Sequence, residues 1–136
     1  MDKKKEIAEA VIAADKALDC LTDAAEQLRV AGKWGIFDML GGGALTTLIK
    51  HARISDANSD IEKAKQAVKN LSKELADVGQ VLEINIDISA FLNFSDYFFD
   101  GLIVDWMVQD KIRAAEKQVN EAIERVEEIK AGLLKM

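Results

Sequence analysis

The sequence predicts an all-α fold in which three long helices form a coiled-coil-like bundle. Three observations predict it. None of the 136 residues is proline, where average usage would give roughly seven, and proline is the residue that breaks helices. The composition, 49% apolar and 31% charged, is that of a folded domain rather than a disordered chain. Apolar residues also recur at alternating steps of three and four in three long segments. We therefore predict a single helical domain over residues 1–136.

Each predicted helix carries one apolar seam. The first helix, residues 3–31, has Ile7, Val11, Ala14, Leu18, Leu21, Ala25 and Leu28, and Gly32 is its predicted stop. The second helix, residues 44–78, has Ile54, Ala57, Ile61, Ala64, Val68, Leu71, Leu75 and Val78. The third helix, residues 96–134, has Ile112, Ala115, Val119, Ala122, Val126, Ile129 and Leu133, and its seam continues to Met136. The three seams together are called the stalk.

The connections predict the helix directions. The short link at residues 32–43 makes the first two helices antiparallel and places Ile7 beside Leu75. Apolar and polar residues alternate strictly over residues 82–89, a period of two that is typical of an extended segment. An extended linker over residues 81–89 would span about 30 Å and return the chain along the bundle, so that the third helix runs parallel to the second. A simple turn would make it antiparallel. We favour the parallel return.

The aromatic residues lie outside the stalk seams. All eight fall within residues 34–49 and 90–108, two segments that we call the head. The parallel return gathers both segments at one end of the bundle, as an aromatic cap. Ser95 or Asp96 is a candidate N-cap for the third helix, while Ser59 begins a capping-box pattern inside the second. Because the seam crosses residue 59 without a slip, we expect that helix to be continuous.

Charge and residue counts exclude several classes of function. The net charge is −6, and residues 79–111 hold six carboxylates against Lys111 alone. Without a basic stripe, nucleic acid is an unfavourable partner, as is an anionic lipid surface. The apolar stretches at 34–49 and 91–108 are interrupted and too short to span a membrane, and the first residues do not form a secretory signal. We therefore expect a cytoplasmic protein.

Single copies of cysteine and histidine limit the chemistry further. With one cysteine there is no disulfide framework, and Cys20 lies in a helical pattern that favours a small buried thiol. His51 is the one histidine, so the zinc sets that need two are missing. Gly41, Gly42 and Gly43 precede a helix, but no strand or Gly-Lys-Ser/Thr sequence accompanies them, which favours a tight turn over a phosphate loop. We predict no catalytic residue, no metal site and no cofactor.

Polar residues of the head are the candidates for a ligand site or an interface. Asp105 lies among apolar neighbours on a backward extension of the third seam, where a carboxylate must be paired or reach solvent. The same extension of the second seam reaches Lys50. We therefore expect a partly buried polar contact between Asp105 and Lys50 or His51, with a register-fixing ion pair or a solvent-facing aspartate as the alternatives. The full candidate set is Trp34, Asp38, Lys50, His51, Asp96, Asp100, Asp105 and Trp106.

Asp96 and Asp100 are four residues apart and face the same way on a helix. With Asp38 they could bind a hard cation through oxygen ligands. The spacing of an EF-hand is missing, and a solvated acidic face is the alternative.

Several motifs resemble those of a family of short bacterial helical proteins of unknown function. They are Trp34…Asp38…Gly41-Gly42-Gly43…Lys50-His51, then Glu74-Leu75-Ala76-Asp77-Val78, then Phe94…Asp96-Tyr97-Phe98-Phe99-Asp100…Asp105-Trp106. The resemblance covers about residues 30–115. It implies a bacterial, cytoplasmic setting, and it carries over no catalytic residue, because that family has no established activity, cofactor or partner.

Two hypotheses of function follow. The first is a non-enzymatic protein-interaction or scaffold protein that forms homodimers or other homo-oligomers through the apolar head or the linker, because large apolar surfaces mark interfaces. The second is a small-ligand or metal-binding site, or an enzymatic one, in the aromatic, aspartate-rich head.

Overall fold

The described part of the chain is all-helical, as predicted. The structure is a computed structural model that describes residues 3–38, 44–81, 88–102, 104–106 and 108–135, with side chains for 3–31, 55–79, 89–102, 104–106 and 108–135. These residues form α1 (Lys3–Asp38), α2 (Ala44–Val81), α3 (Ile88–Gly101) and α4 (Gln109–Leu134). None of these helices combines the length and the apolar character needed to cross a bilayer.

Helices α1 and α2 lie antiparallel, as the short link predicts. Gln27, late in α1, donates a hydrogen bond from Nε2 to Asp60 Oδ2 over 3.0 Å. Near the other ends of the two helices, Glu9 of α1 and Glu74 of α2 have carboxylate oxygens within 4.8 Å of each other. The Glu9–Glu74 pair fits the predicted register to within one residue, and the Gln27–Asp60 pair, joined through two side chains, lies about one and a half helical turns from it.

Helix α4 is also antiparallel to α1, and it therefore runs parallel to α2. Asp15 of α1 forms an ion pair with Lys130, near the end of α4, at 2.5 Å. Trp106, just before α4, donates a hydrogen bond from Nε1 to Asn58 in the first half of α2 over 2.6 Å. Because α2 and α4 start at the same end of the molecule, the favoured parallel return is confirmed.

The chain returns by a route that the sequence analysis did not predict. Val81 is the last residue of α2, and Ile88 and Ser89 already belong to α3, so the extended linker is wrong at its two ends, while residues 82–87 lie outside the described residues. Helix α3 runs back along α2, since it begins shortly after α2 ends and Phe99, near the end of α3, lies near Lys69 of α2. The successive helices thus alternate in direction.

The single third helix predicted over residues 96–134 is wrong. Residues 96–101 are the end of α3, and α4 begins only at Gln109. Val108 is the N-cap of α4, with φ −117° and ψ 110°, and its side chain forms no capping hydrogen bond. Ser95, a predicted cap, is instead buried within α3. Gly101 and the β-branched residues that follow it favour helix less than their neighbours do. The apolar pattern continues across these residues, so it does not indicate that one helix ends and another begins.

The stalk seams of α2 and α4 are confirmed. Every described position of the α2 seam is buried, and so are all seven described positions of the α4 seam, while Met136 lies outside the described residues. The hydrophobic core that they form also includes residues of α1 and α3.

In α1 the predicted seam is displaced. Val11 and Leu18, predicted to be central, are only half-buried, whereas Ala10, Ala17 and Ala24 are buried completely. The reason is that α1 packs between two neighbours, α2 and α4. A helix with two partners buries a wider face than a two-helix seam, and small residues at its centre let both partners approach.

Three other predictions can be checked. Helix α1 continues through Gly32 to Asp38, so the predicted stop is wrong, since glycine lowers helix stability without forbidding the conformation. Helix α2 is continuous across residues 55–59, as expected. Cys20 is a free, buried thiol, as expected.

The described part of the head is not a cap on the end of the bundle. The aromatic residues of α3 lie beside the second half of α2, and Phe94 reaches Arg125 of α4, whose guanidinium is 4.5 Å from the ring centroid. The prediction of a terminal cap is therefore wrong for residues 90–101. The reason is that α3 packs along the stalk instead of extending α4.

Candidate functional site

A groove between α2 and α3 is a candidate site in the described part of the molecule. It has a volume of about 430 Å³. Helix α3 forms one wall because its apolar residues Phe91, Phe98 and Leu102 recur at helical spacing and are buried, which turns the next face of the helix toward α2. The groove is lined by Lys69, Ser72, Lys73 and Ala76 of α2 and by Leu92, Ser95, Asp96, Phe99 and Asp100 of α3.

The groove carries both signs of charge on opposite walls. Lys69 and Lys73 lie on α2, and Asp96 and Asp100 lie one helical turn apart on α3. The Lys69 Nζ is 4.5 Å from the centroid of the Phe99 ring, a cation–π contact that holds the ammonium over an apolar surface. The groove is therefore suited to a small molecule that has a positive group, a negative group and an apolar part.

Ser72, which lines the groove, has a buried hydroxyl. Ser72 Oγ has no hydrogen-bond partner among the described residues and is shielded from solvent. A buried hydroxyl without a partner costs free energy, so a bound ligand that accepts or donates a hydrogen bond here would recover part of that cost.

The structure separates the candidate residues that it describes. Asp96 and Asp100 share the α2/α3 groove. Trp106 is buried, and its hydrogen bond to Asn58 places it nearer the opposite end of α2. The side chains of Trp34, Asp38, Lys50 and His51 lie outside the described residues.

The structure favours the solvent-facing alternative for Asp105 over the expected partly buried contact. Asp105 is exposed rather than partly buried, because residues 104–106 are not helical and the third seam does not extend backward through them. The predicted contact with Lys50 or His51 falls outside the described side chains, as does the predicted hard-cation set that includes Asp38.

A second groove lies between α1 and α2, on the outer side of the stalk. Its volume is about 400 Å³. Ile12 lines it with 68% of its surface exposed, a high value for a large aliphatic side chain. The groove is lined by Glu9, Ile12, Ala13 and Lys16 of α1 and by Ala67, Asn70, Lys73 and Glu74 of α2.

Three carboxylates converge at one end of this second groove. Glu6, Glu9 and Glu74 each offer an oxygen, and these atoms lie within 4.8 Å of one another. Burial raises the pKa of Glu74 above its usual range, and the negative charges of Glu9, Asp77 and Glu6 raise it further. Glu74 Oε2 is shielded from solvent and has no hydrogen-bond partner among the described residues. Oxygen ligands in such a group are those that Ca²⁺ and Mg²⁺ prefer.

The sequence analysis missed this carboxylate cluster, although the signal was present. The predicted register places Ile7 beside Leu75, and their neighbours Glu6 and Glu74 must then be close. Glu9 lies three residues after Glu6, on the same face of α1. The stalk is nearly neutral overall, so its net charge gives no sign of the cluster.

Comparisons with protein-family models, with curated proteins and with solved structures find no match. The resemblance to a family of short bacterial proteins therefore stays a prediction, as do the bacterial origin and the cytoplasmic setting.

Proposed function

We propose that this chain is a non-enzymatic protein-interaction or scaffold protein that self-associates through its apolar head or linker, with α1, α2 and α4 as a coiled-coil-like stalk. The observation that supports it is the exposure of Tyr97. This residue lies in the head, on α3, and 70% of its surface is exposed.

Tyr97 is not needed to hold α3 in place. Phe91 and Phe98 supply the buried contacts, and Phe94 packs against both, with ring centroids 6.2 and 5.8 Å away. Tyrosine is enriched at protein interfaces because it combines a large apolar area with a hydroxyl and few rotatable bonds. Gly101 lies one turn further on, and a Cβ built there would meet only the Tyr97 ring, at 3.9 Å. Because Gly101 has no side chain, nothing at this position covers the Tyr97 ring, and a partner can reach it.

The test is the mass of the particle in solution. We expect size-exclusion chromatography with light scattering, at tens of micromolar chain, to show an assembly larger than one chain, and Tyr97→Ser to lower its mass. Leu134→Ser is the matched control, because Leu134 is a large apolar residue with 65% exposure that lies outside the head. A monomeric wild type, or equal effects of the two variants, would contradict the proposal.

A second candidate function is the binding of a small molecule in the α2/α3 groove, as in the alternative hypothesis of a ligand site in the head. The opposed lysine and aspartate pairs favour it. A thermal-shift screen with amino acids and other zwitterions tests it on the wild type and on a variant with Asp96→Asn and Asp100→Asn. Stabilisation of the wild type alone would support the groove, and equal responses of both proteins would count against it.

A further inference from the structure

The outer face of α1 carries a charge pattern that would be complementary to a second, antiparallel copy of the same face. Lys5, Glu9, Ile12, Lys16 and Asp19 follow one another at steps of four and three, so they form one stripe along the helix. Four of them are exposed and Glu9 is half-buried. Along the chain the stripe reads positive, negative, apolar, positive, negative.

When the stripe is placed against a reversed copy of itself, every charge meets its opposite. Glu9 lies opposite Lys16 of the second copy, Lys5 lies opposite Asp19, and Ile12 lies opposite Ile12. Glu9 and Lys16 are seven residues apart, about 10 Å along the helix. The twofold arrangement therefore forms two Glu9–Lys16 pairs between the copies, one on each side of the central isoleucines.

The neighbouring face of α2 has the same property about the same centre. Asn70 and Ile12 both line the α1/α2 groove, and the antiparallel register that places Ile7 beside Leu75 also places Ile12 beside Asn70. Seven residues before Asn70 is Lys63, and seven residues after it is Asp77, both exposed. A twofold axis that reverses α1 about Ile12 also reverses α2 about Asn70, and it brings Lys63 opposite the second copy's Asp77.

We propose that this α1/α2 face is a self-association surface whose occupant is a second copy of the chain. The copies pack antiparallel about a twofold axis that passes by Ile12 and Asn70, which is the isologous arrangement of most homodimers. The surface is separate from the head and does not depend on the proposed function of Tyr97.

Charge complementarity is what favours a second copy over another protein. Positive and negative side chains alternate on this face, so a uniformly acidic or basic partner would meet as many like charges as opposite ones. Beside Ile12 the groove is lined by Ala13 and Ala67, and such small side chains let a second helix approach closely. The isoleucine, 68% exposed in the single chain, then has an apolar partner.

Charge reversal on the full-length chain tests the proposal. Lys16→Glu places glutamate opposite glutamate at two symmetric positions, and Glu9→Lys places lysine opposite lysine. We expect sedimentation-velocity measurements over a concentration series to show that each variant weakens association about tenfold or more. Circular dichroism melting controls for folding. Lys16 is exposed, and Glu9, although half-buried, loses a repulsive contact with the carboxylate cluster when it is replaced by lysine, so neither variant should unfold.

Two combinations provide the decisive rescue. The variant with both Glu9→Lys and Lys16→Glu restores opposite charges in every pair and should associate like the wild type. An equimolar mixture of the two single variants should form mixed dimers, because each carries the complement of the other. The proposal is overturned if the single variants associate like the wild type, or if neither the double variant nor the mixture recovers.

Two further variants separate this surface from the head. Ile12→Glu should abolish association through the α1/α2 face and leave the effect of Tyr97→Ser unchanged. Conversely, Tyr97→Ser should leave the response to charge reversal intact. If Tyr97→Ser alone yields a monomer, the head accounts for all association and the α1/α2 proposal fails.

Discussion

The stalk and α3 contribute to one core with different side chains. At the centre of the stalk, α1 buries a column of alanines, with Ala10, Ala14 and Ala17 completely inaccessible. Helix α3 reaches the same core through phenylalanine, and Phe98 is the largest of the fully buried side chains. Small residues bring helix backbones close together, whereas rings fill the wider space beside a helix that lies further away.

This difference shows what each region requires of its sequence. In the stalk a substitution that adds volume has no room, because neighbouring backbones are near. Beside α3 a substitution that removes volume leaves a cavity, because a short helix of 14 residues has few other contacts to close it. The two regions should therefore respond in opposite ways to larger and smaller side chains.

Removal of a ring from α3 should give the largest effect. Phe98→Ala leaves a cavity at a site that is 2% exposed, and the expected loss in the free energy of unfolding is about 3–5 kcal/mol. Urea denaturation followed by circular dichroism measures it. Tyr97→Ala is the control, on the exposed side of the same helix, and should change stability by less than about 0.5 kcal/mol. Equal losses would mean that α3 does not pack as described.

Added volume in the alanine column should give the next largest effect. Ala14→Leu forces three carbon atoms into a site that is fully buried between α1 and its neighbours, at an expected cost of about 1–3 kcal/mol. Ala8→Leu, at an exposed position of the same helix, has the same change in volume and should be nearly neutral. If Ala14→Leu were neutral as well, the stalk would not be closely packed on α1.

The hydrogen bond between Trp106 and Asn58 connects the segment after α3 to the stalk. Asn58→Ala removes the acceptor of the Trp106 Nε1 hydrogen, and we expect a loss of about 1 kcal/mol, because Asn58 is exposed and water can partly replace it. Asn58→Asp keeps an oxygen acceptor and should restore most of the stability. Tryptophan fluorescence during thermal unfolding reports on both, and an aspartate variant as unstable as the alanine variant would contradict this account.

The same comparison explains which parts of the fold the sequence predicts. The stalk seams of α2 and α4 could be predicted residue by residue, because a heptad pattern that is buried between helices has a fixed period. Helix α1 was harder. Alanine occurs at both buried and exposed positions of α1, so it does not by itself identify the core. The width of the buried face depends on the contacts of α1 with two helices, which the sequence does not reveal.

Helix α3 could not be predicted from periodicity. Its stripe of Phe91, Phe98 and Leu102 is short, and the polar Ser95 lies within it. The strict alternation of apolar and polar residues over 82–89 also predicts an extended linker, although α3 already begins at Ile88. For the candidate sites, Asp96 and Asp100 could be placed on one face from their spacing alone. Their proximity to Lys69 and Lys73 could not, since it depends on α3 packing antiparallel to α2.

Glu74 is a half-buried stalk residue whose negative charge is unfavourable there. Its replacement should give the smallest effect of these substitutions. The pKa of Glu74 is raised above its ordinary value near 4.5 by burial and by three neighbouring carboxylates. The folded state therefore holds this proton more tightly than the unfolded state does. Stability is lost as the pH rises from about 4.5 through the raised pKa, and the loss is complete above it.

Glu74→Gln removes that cost without a change in size. We expect it to raise the free energy of unfolding at pH 7 by up to about 0.5 kcal/mol, as for other partly exposed positions, and to have little effect well below pH 4.5, where the wild-type carboxyl is neutral in both states. Thermal melts at the two pH values measure this difference. Glu127→Gln, at an exposed position of α4, makes the same change of charge and should lack the pH dependence. A Glu74→Gln gain that is equal at both pH values would assign the effect to something other than the ionisation of this carboxyl. A pH-dependent gain would show that the alanine-packed stalk, which tolerates little added volume, also tolerates little added charge.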